Sequence, residues 1–498
     1  MIEVLPLQVN WLTGWFSARP VSPPVSQPSL IRPHLAALAE DRSLLPPFVQ
    51  ACPVAQEYLA LLGPLDWANF PERPTNRAWP GSPPHPRAPF VAAYLVKLVE
   101  NKSYMSDLRK FLVKHPALVW LLGFELKADP SALHGFDVEA SVPSRKQLGR
   151  VLRELDNAVL QFLLDSTVQL IASQIPPELR FGDEISLDTK HIVAWVAENN
   201  PKAYIKESDR LNKHRQPKGD RDCKLGCKKK RNTSPEAAVE AAPADGSAAA
   251  TPQKKRPTNF SKLDVYYWGY ASGIVATKVP GYGEFVLAEL TQTFDRPDIS
   301  YFFPLLAETE RRLGRKPRFG AFDAAFDAWY VYDYFIEAGG FAAVPFSGKG
   351  GDQHAFDEAG LPLCQAGLAM PCTSSFMNYR GLVPQRQGRY GCPLLQPEPN
   401  GQTCPCNHKN WPKGGCTTTM GVSAGARVRY LLNRHHPEYI QLYNQRSATE
   451  RVNALAVELD IEQPKLRTQP AIANANTLRY VLLNLRAYHR LLDLTASP

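Results

Sequence analysis

Three carboxylates in this sequence stand where an acid needs a reason. Asp188 interrupts the apolar, β-branched run EISLDTKHIVAWVAE over 184–198. A carboxylate inside a buried strand must be paired or bound to a cation. Asp323 closes the short stretch Gly320-Ala321-Phe322. Glu450 falls in Tyr443-Asn-Gln-Arg446-Ser-Ala-Thr-Glu450-Arg451, which reads as helix. Hard oxygen ligands of this kind suit Mg²⁺, with Mn²⁺ as its substitute. Two such ions about 3.5–4 Å apart activate an attacking oxygen and stabilise a leaving one in phosphodiester displacement. One Asp at a strand end is more often structural. Three acids at corresponding points of one fold pattern argue for chemistry. Asp327, four residues beyond Asp323, is the rival for the second position. Asp323 is preferred because it directly follows the apolar strand.

The elements that must hold these acids follow from periodicity. Residues 1–80 are proline-rich, with a short helical stretch at 31–39. From 89 to 175 apolar residues recur at three- and four-residue spacing, which predicts helices. Ser144 with Gln147 resembles a capping box at the start of the last of them. The period changes at Glu184, and a strand is expected there. Two more strands, VYYWGYASGIVATKV and EFVLAELTQTF, flank the turn Pro280-Gly281-Tyr282-Gly283. A helix (299–313), a strand (318–326), a helix (329–338), a strand (341–346) and helices from 437 onward complete the order. This predicts an α/β fold: a ribonuclease-H-like mixed sheet flanked by helices, with an all-α N-terminal domain and a Cys-rich insertion. The expected domains are a proline-rich region (1–80), a helical DNA-binding or assembly domain (81–180) and a catalytic domain (181–346 and 425–498). Two insertions interrupt the last, a basic low-complexity one (201–258) and a Gly/Cys-rich one (347–424).

The same residues resemble a known family. Ser186-Leu187-Asp188-Thr189-Lys190 is similar to the first catalytic segment of bacterial insertion-sequence DDE transposases, and FGAFDAAFDAWYVYDYF to their second. Tyr443, Arg446 and Glu450 match the Tyr-x2-Arg-x3-Glu spacing of the third. SYMSDLRKFLVKHPALVWLLGF resembles the family's amino-terminal domain, so the likeness covers roughly 80–490. It implies Mg²⁺-dependent cleavage and strand transfer by Asp188, Asp323 and Glu450. It also implies binding of double-stranded DNA at terminal inverted repeats and at the target, by a homodimer on DNA. Arg446 suits phosphate oxygens as a planar fork. Tyr443 stacks on a displaced base or packs in its helix. The family's third signature carries Lys seven positions after the Glu, where this chain has Val457. The alternatives are a transposase-derived DNA-binding protein without catalysis and a nuclease of the same fold without strand transfer.

Charge points to the same partner. The chain carries a net +9, and residues 202–256 hold 15 Lys and Arg against 7 acids, a balance of +8. Such a block attracts polyanions, nucleic acid first among them, unless it is only a solvated linker. Lys228, Lys229, Lys230 and Arg231 are its densest run, and Lys190 lies beside the first acid. No stretch approaches the ~18 apolar residues of a membrane span, and no secretory signal is visible at the N-terminus. A cytoplasmic, nucleoid-associated location is expected. Six of the nine cysteines fall between Cys364 and Cys416. In a reducing compartment, Cys364, Cys392, Cys404, Cys406 and Cys416, with His408 nearby, read as ligands of a structural Zn²⁺ or as plain thiols. Cys223 and Cys227 read as bystanders in a flexible basic run.

Overall fold

A computed structural model describes residues 33–73, 85–228, 265–347, 355–405 and 410–496. The fold is mixed α/β, with helices packed on a curled mixed sheet. Six strands form the sheet: β1 (Glu184–Val193), β2 (Lys224–Lys228), β3 (Val265–Val279), β4 (Gly283–Thr293), β5 (Phe319–Ala321) and β6 (Phe341–Ala343). The order runs β2-β3-β1-β5-β6, and β4 pairs with β3. β1 lies antiparallel to β3 and parallel to β5, and β5 is parallel to β6. The β3–β4 hairpin turns where the sequence places it, because Gly281 (φ 81°) and Gly283 (φ 124°) adopt angles that side chains resist.

Alternation along β1 explains how it serves two cores. Ile185 and Leu187 enter the apolar cluster formed with α2 (Phe302–Leu313) and α3 (Trp329–Glu337). Their neighbours Ser186 and Asp188 therefore face the other side of the sheet, as period two requires. That side is covered by α6 (Ser447–Glu458) and the 28-residue α7 (Gln469–Ala496).

α7 is the spine of the molecule. Its Ile472, Leu478, Val481 and Leu485 share one continuous core with the N-terminal helices, from Leu35 to Leu164, and with β3 and β4. It also carries buried polar groups that find partners on other elements. Asn474 Nδ2 donates to the carbonyls of Leu152 (2.8 Å) and Leu155 (2.7 Å) at the end of the helix Arg145–Glu154. The amide of Asn484 pairs with both backbone groups of Val286 in edge strand β4, at 2.9 and 2.8 Å. Arg479 donates to the carbonyls of Leu459 (2.8 Å) and Asp460 (3.0 Å), immediately after α6. Satisfied buried groups of this kind fix the arrangement of the elements that bear them.

Local expectations meet the structure unevenly. Ser144 Oγ accepts from Gln147 N at 3.2 Å, so the cap forms. The strand expected over 318–326 keeps only Phe319–Ala321, because Asp323 turns the chain by accepting from Ala325 N at 2.8 Å. The first part of the basic segment is ordered chain, since β2 joins the sheet and Cys223 is fully buried. The low-complexity stretch 234–253, and Lys229, Lys230 and Arg231, lie outside the described residues. Within 347–424 stands a second sheet that periodicity did not announce. Its strands are β7 (Cys372–Asn378), β8 (Gln385–Gly391) and β9 (Thr417–Gly421), all antiparallel, with β8 central. No helix among the described residues is long and apolar enough to cross a membrane.

Candidate active site

Parallel pairing sets the first two acids side by side. Ser186 of β1 is in register with Ala321 of β5, and two residues further along each chain stand Asp188 and Asp323. Neighbouring strands lie about 4.8 Å apart, so the two carboxylates feel one another. Burial pushes the Asp188 carboxyl up to about 6, and the Thr189 N–H, 2.8 Å from Oδ1, opposes that shift. Asp323 and Asp298 raise it further, and Arg446 lowers it.

α6 brings the third acid over the same strand. Glu450 lies in its first turn, and Asn453, one turn on, donates from Nδ2 to Asp188 Oδ2 at 3.3 Å. Asp188, Glu450, Asn453, Lys190, Lys228 and Val457 all line one open cleft of about 480 Å³. Glu450 is held by Arg446 at 2.7 Å, and that guanidinium rests 5.7 Å from the Tyr443 ring centroid. Tyr443 stacks on Tyr439 at 6.0 Å between centroids, inside the helical packing. Lys190 is ion-paired with Glu462 at 2.6 Å.

Asp327 is placed quite differently. Its carboxylate is shut off from solvent, 2.8 Å from Arg429, and it accepts from Tyr332 Oη (2.9 Å) and Ser347 N (2.8 Å). Those partners hold it well below the usual carboxylate range despite burial. Its capacity is spent on the protein, and this leaves Asp323 as the acid beside Asp188.

Does this donor set fit a divalent cation? Among the described residues, no three His, Cys, Asp or Glu side chains are close enough together to hold one ion. Mg²⁺ asks for less than that, because it is commonly bound by one or two carboxylates while water and phosphate supply the rest. Asp188 and Asp323 provide such a pair. The buried Oδ1 of Asn453 and Oγ of Ser186 have no hydrogen-bond partner, and both belong to the Asp188 side of the site. Unsatisfied buried oxygens beside the raised Asp188 carboxyl suit a cation or its bound water.

Sequence reading missed several of these residues. Asn453 was findable, being three residues after Glu450 and so on the same helix face. Asp298, whose Oδ1 accepts from Thr189 Oγ1 at 2.8 Å, carried no pattern of its own. His191 also lines the cleft, and burial pushes its imidazole down to about 4, with Lys228 and Lys190 acting in the same direction. Its folded pKa lies below the unfolded one, so the neutral ring's contribution is complete above about 6.5 and fades as pH falls towards 4. His191→Phe should remove that loss. Across the interval, the difference in unfolding free energy between variant and wild type should move by about 2 kcal/mol in the variant's favour. A difference that stays flat in urea titrations would contradict the buried neutral ring.

In the second sheet, Cys416 and Cys364 pack against buried Met370, Tyr390 and Met420. Burial pushes the Cys416 thiol up to about 12, and the adjacent Cys392 and Cys364 add to the shift. Cys392 therefore lies against Cys416 with Cys364 in the neighbourhood, but the three are not close enough together to hold one ion. Cys404 is half-buried in the loop before β9, and Cys406 and His408 lie outside the described residues.

No family model matches this chain, and no curated protein sequence does. The functional reading rests on the site.

Proposed function

We propose that the chain is a DDE transposase with a ribonuclease-H-like catalytic domain, acting on the double-stranded DNA ends of an insertion sequence as a homodimer in the cytoplasm. The observation that carries this reading is the parallel register that sets Asp188 beside Asp323, with Glu450 and Asn453 brought over them by α6. Bound Mg²⁺ would neutralise phosphoryl charge and activate the attacking oxygen. Asp188 and Asp323 would hold it, with Glu450 at the cleft edge. Asn453 fixes the Asp188 carboxylate in one orientation through its amide. Arg446 balances Glu450 and lies near enough to Asp188 to lower its pKa, so it would meet a phosphate bound at these acids. Lys228 adds positive charge to the same wall, while Lys190 is already engaged with Glu462. Val457 turns an apolar side chain into the cleft where relatives of the resembled family carry Lys, so Arg446 and Lys228 would take up phosphate contact instead.

Linear DNA carrying the ends that flank the gene tests the reading. Mg²⁺-dependent 3′ nicks at those ends, followed by joining to a second DNA, are expected. Hydrolysis without joining would make the chain a nuclease. The Arg446–Glu450 pair favours a third outcome, specific binding with neither reaction, as in a descendant that has lost catalysis.

We propose a second cofactor for this segment, a structural Zn²⁺ that would draw its ligands from Cys364, Cys392, Cys404, Cys406 and Cys416 and would have to bring Cys364 closer to Cys392 and Cys416. Protein purified without added metal should contain about one Zn²⁺ per chain, as closed four-ligand sites do. Chelation should raise amide exchange across 364–416 before elsewhere, because binding energy in such sites is folding energy. A zinc content near zero, with every thiol of the folded chain freely titratable, would make the segment a thiol-bearing sheet only.

A further inference from the structure

The basic block at 202–256 is not the chain's only one. Residues 359–437 contain eight Lys and Arg and a single acid, Glu398. This imbalance is hidden in the net charge by acidic stretches elsewhere. Two of its cations are spent inside the fold: Arg429 on Asp327, and Arg434 on the carbonyls of Val344 and Arg429. Two others, Arg380 and Arg389, stand exposed on the β7–β8 hairpin, and neither has an ion-pair partner among the described residues, whereas Arg386 donates to Ser375 Oγ on the other face at 3.3 Å.

The register of that hairpin decides what lies beside them. β8 pairs Gly388 with Met420, and Tyr390 with Thr418. Met420 and Tyr390 are buried against Met370, so this face of the sheet is covered. The opposite face carries Phe376 across from Gln387, and Arg389 across from Ser374 and Thr419. Phe376 is 47% exposed, and Tyr379, in the loop that joins the strands, is 72% exposed. β7 is an edge strand, exposed along nearly its whole length. Large aromatic side chains left in water beside unpaired Arg, with no acid for many residues on either side, fit a partner with flat rings and negative charge.

We infer that the β7–β8 hairpin is a binding surface for an unpaired DNA strand, with bases stacking on Phe376 and Tyr379 and phosphates held by Arg380 and Arg389. Aromatic platforms alternating with cations are how proteins grip single strands without reading sequence. Duplex DNA buries its ring faces and offers only its phosphates to such a surface. The inference rests on the proposed action on DNA for the kind of nucleic acid alone.

Fluorescence anisotropy without Mg²⁺ tests it on the full chain, with a labelled single strand and the same sequence as a blunt duplex. Phe376→Ala with Tyr379→Ala should weaken single-strand binding roughly tenfold or more, and duplex binding much less. Phe376→Trp with Tyr379→Trp should keep the affinity, which separates stacking from damage to the fold. Replacing Arg380 and Arg389 with Gln should weaken both ligands and lower the salt slope by roughly two. Wild-type affinity in the double-Ala protein would overturn the inference. So would a chain that self-associates through these aromatics, becoming monomeric in the double-Ala variant with no change in DNA binding. Cleavage plays no part in the readout. A chain that never cuts would fail the catalytic reading and leave this one standing, and a chain that cuts with an indifferent hairpin would do the reverse.

Discussion

Asp188→Ala, Asp323→Ala and Glu450→Ala should each reduce Mg²⁺-dependent strand cleavage by about a thousandfold or more while leaving DNA binding largely intact. The magnitude follows from the charge a metal site neutralises, worth several kcal/mol in the transition state, at roughly 1.4 kcal/mol per tenfold in rate. Loss of the fold would mimic this result, so stability must be read beside it. Burial already disfavours the Asp188 anion, and Asp323 and Asp298 repel it. Asp188→Asn keeps the shape and removes that cost, so its thermal midpoint should be no lower than the wild type's while activity vanishes. Sites that hold charge for function are commonly paid for in stability. Near wild-type cleavage in any of the three variants would remove that residue from the site. Glu450 is the most exposed to this risk, because Arg446 already occupies its carboxylate.

The parts of this site that the sequence disclosed are those tied to strong local patterns. Asp188 was legible because an acid within Ile185-Ser-Leu187 and Ile192-Val193 contradicts its surroundings. The β3–β4 hairpin was legible because two glycines mark its turn. Asp323 was legible as the residue that ends a strand, although the strand itself is only three residues long. What stayed hidden depends on contacts between distant segments. β2 reads as a charged run, Lys-Leu-Gly-Cys-Lys, and becomes a strand only because β3 extends past β4 and offers it an edge. β7 has no apolar alternation at all, since both of its sides meet water along nearly its whole length. Asn453 shares a helix face with Glu450 but is neutral, and a search for acids passes over it. Asp298 reaches the site through Thr189, 109 residues away in sequence, and no spacing rule could supply that.

Asp327→Ala should be the most destabilising of the acid variants, costing about 3–5 kcal/mol, because it leaves Arg429 buried without its counter-charge. The Arg429 side chain is 13% exposed and sits 4.9 Å from the Phe346 ring centroid, so water cannot easily replace the lost carboxylate. The consequence for function is indirect. Ser347 opens the inserted segment and donates to Asp327 from its backbone, while Arg429 lies on α4 (Ala424–Leu431), where the chain returns from the insertion. Asp327 therefore fastens both ends of the insertion to the start of α3. Asp333 on that helix adds a second tie by accepting from Gly425 N at 2.5 Å. With Asp327 removed, amide exchange should rise first at 347 and 424–431, and the β7–β9 sheet should lose its fixed position relative to the cleft. Divalent-cation binding at Asp188 and Asp323 should change little, and that outcome separates a fastening residue from a ligand. Pairing Asp327→Leu with Arg429→Met should recover most of the urea midpoint, since an apolar pair of similar volume often replaces a buried ion pair without loss. If Asp327→Ala instead abolished cation binding at an unchanged urea midpoint, Asp327 rather than Asp323 would be the second acid of the site.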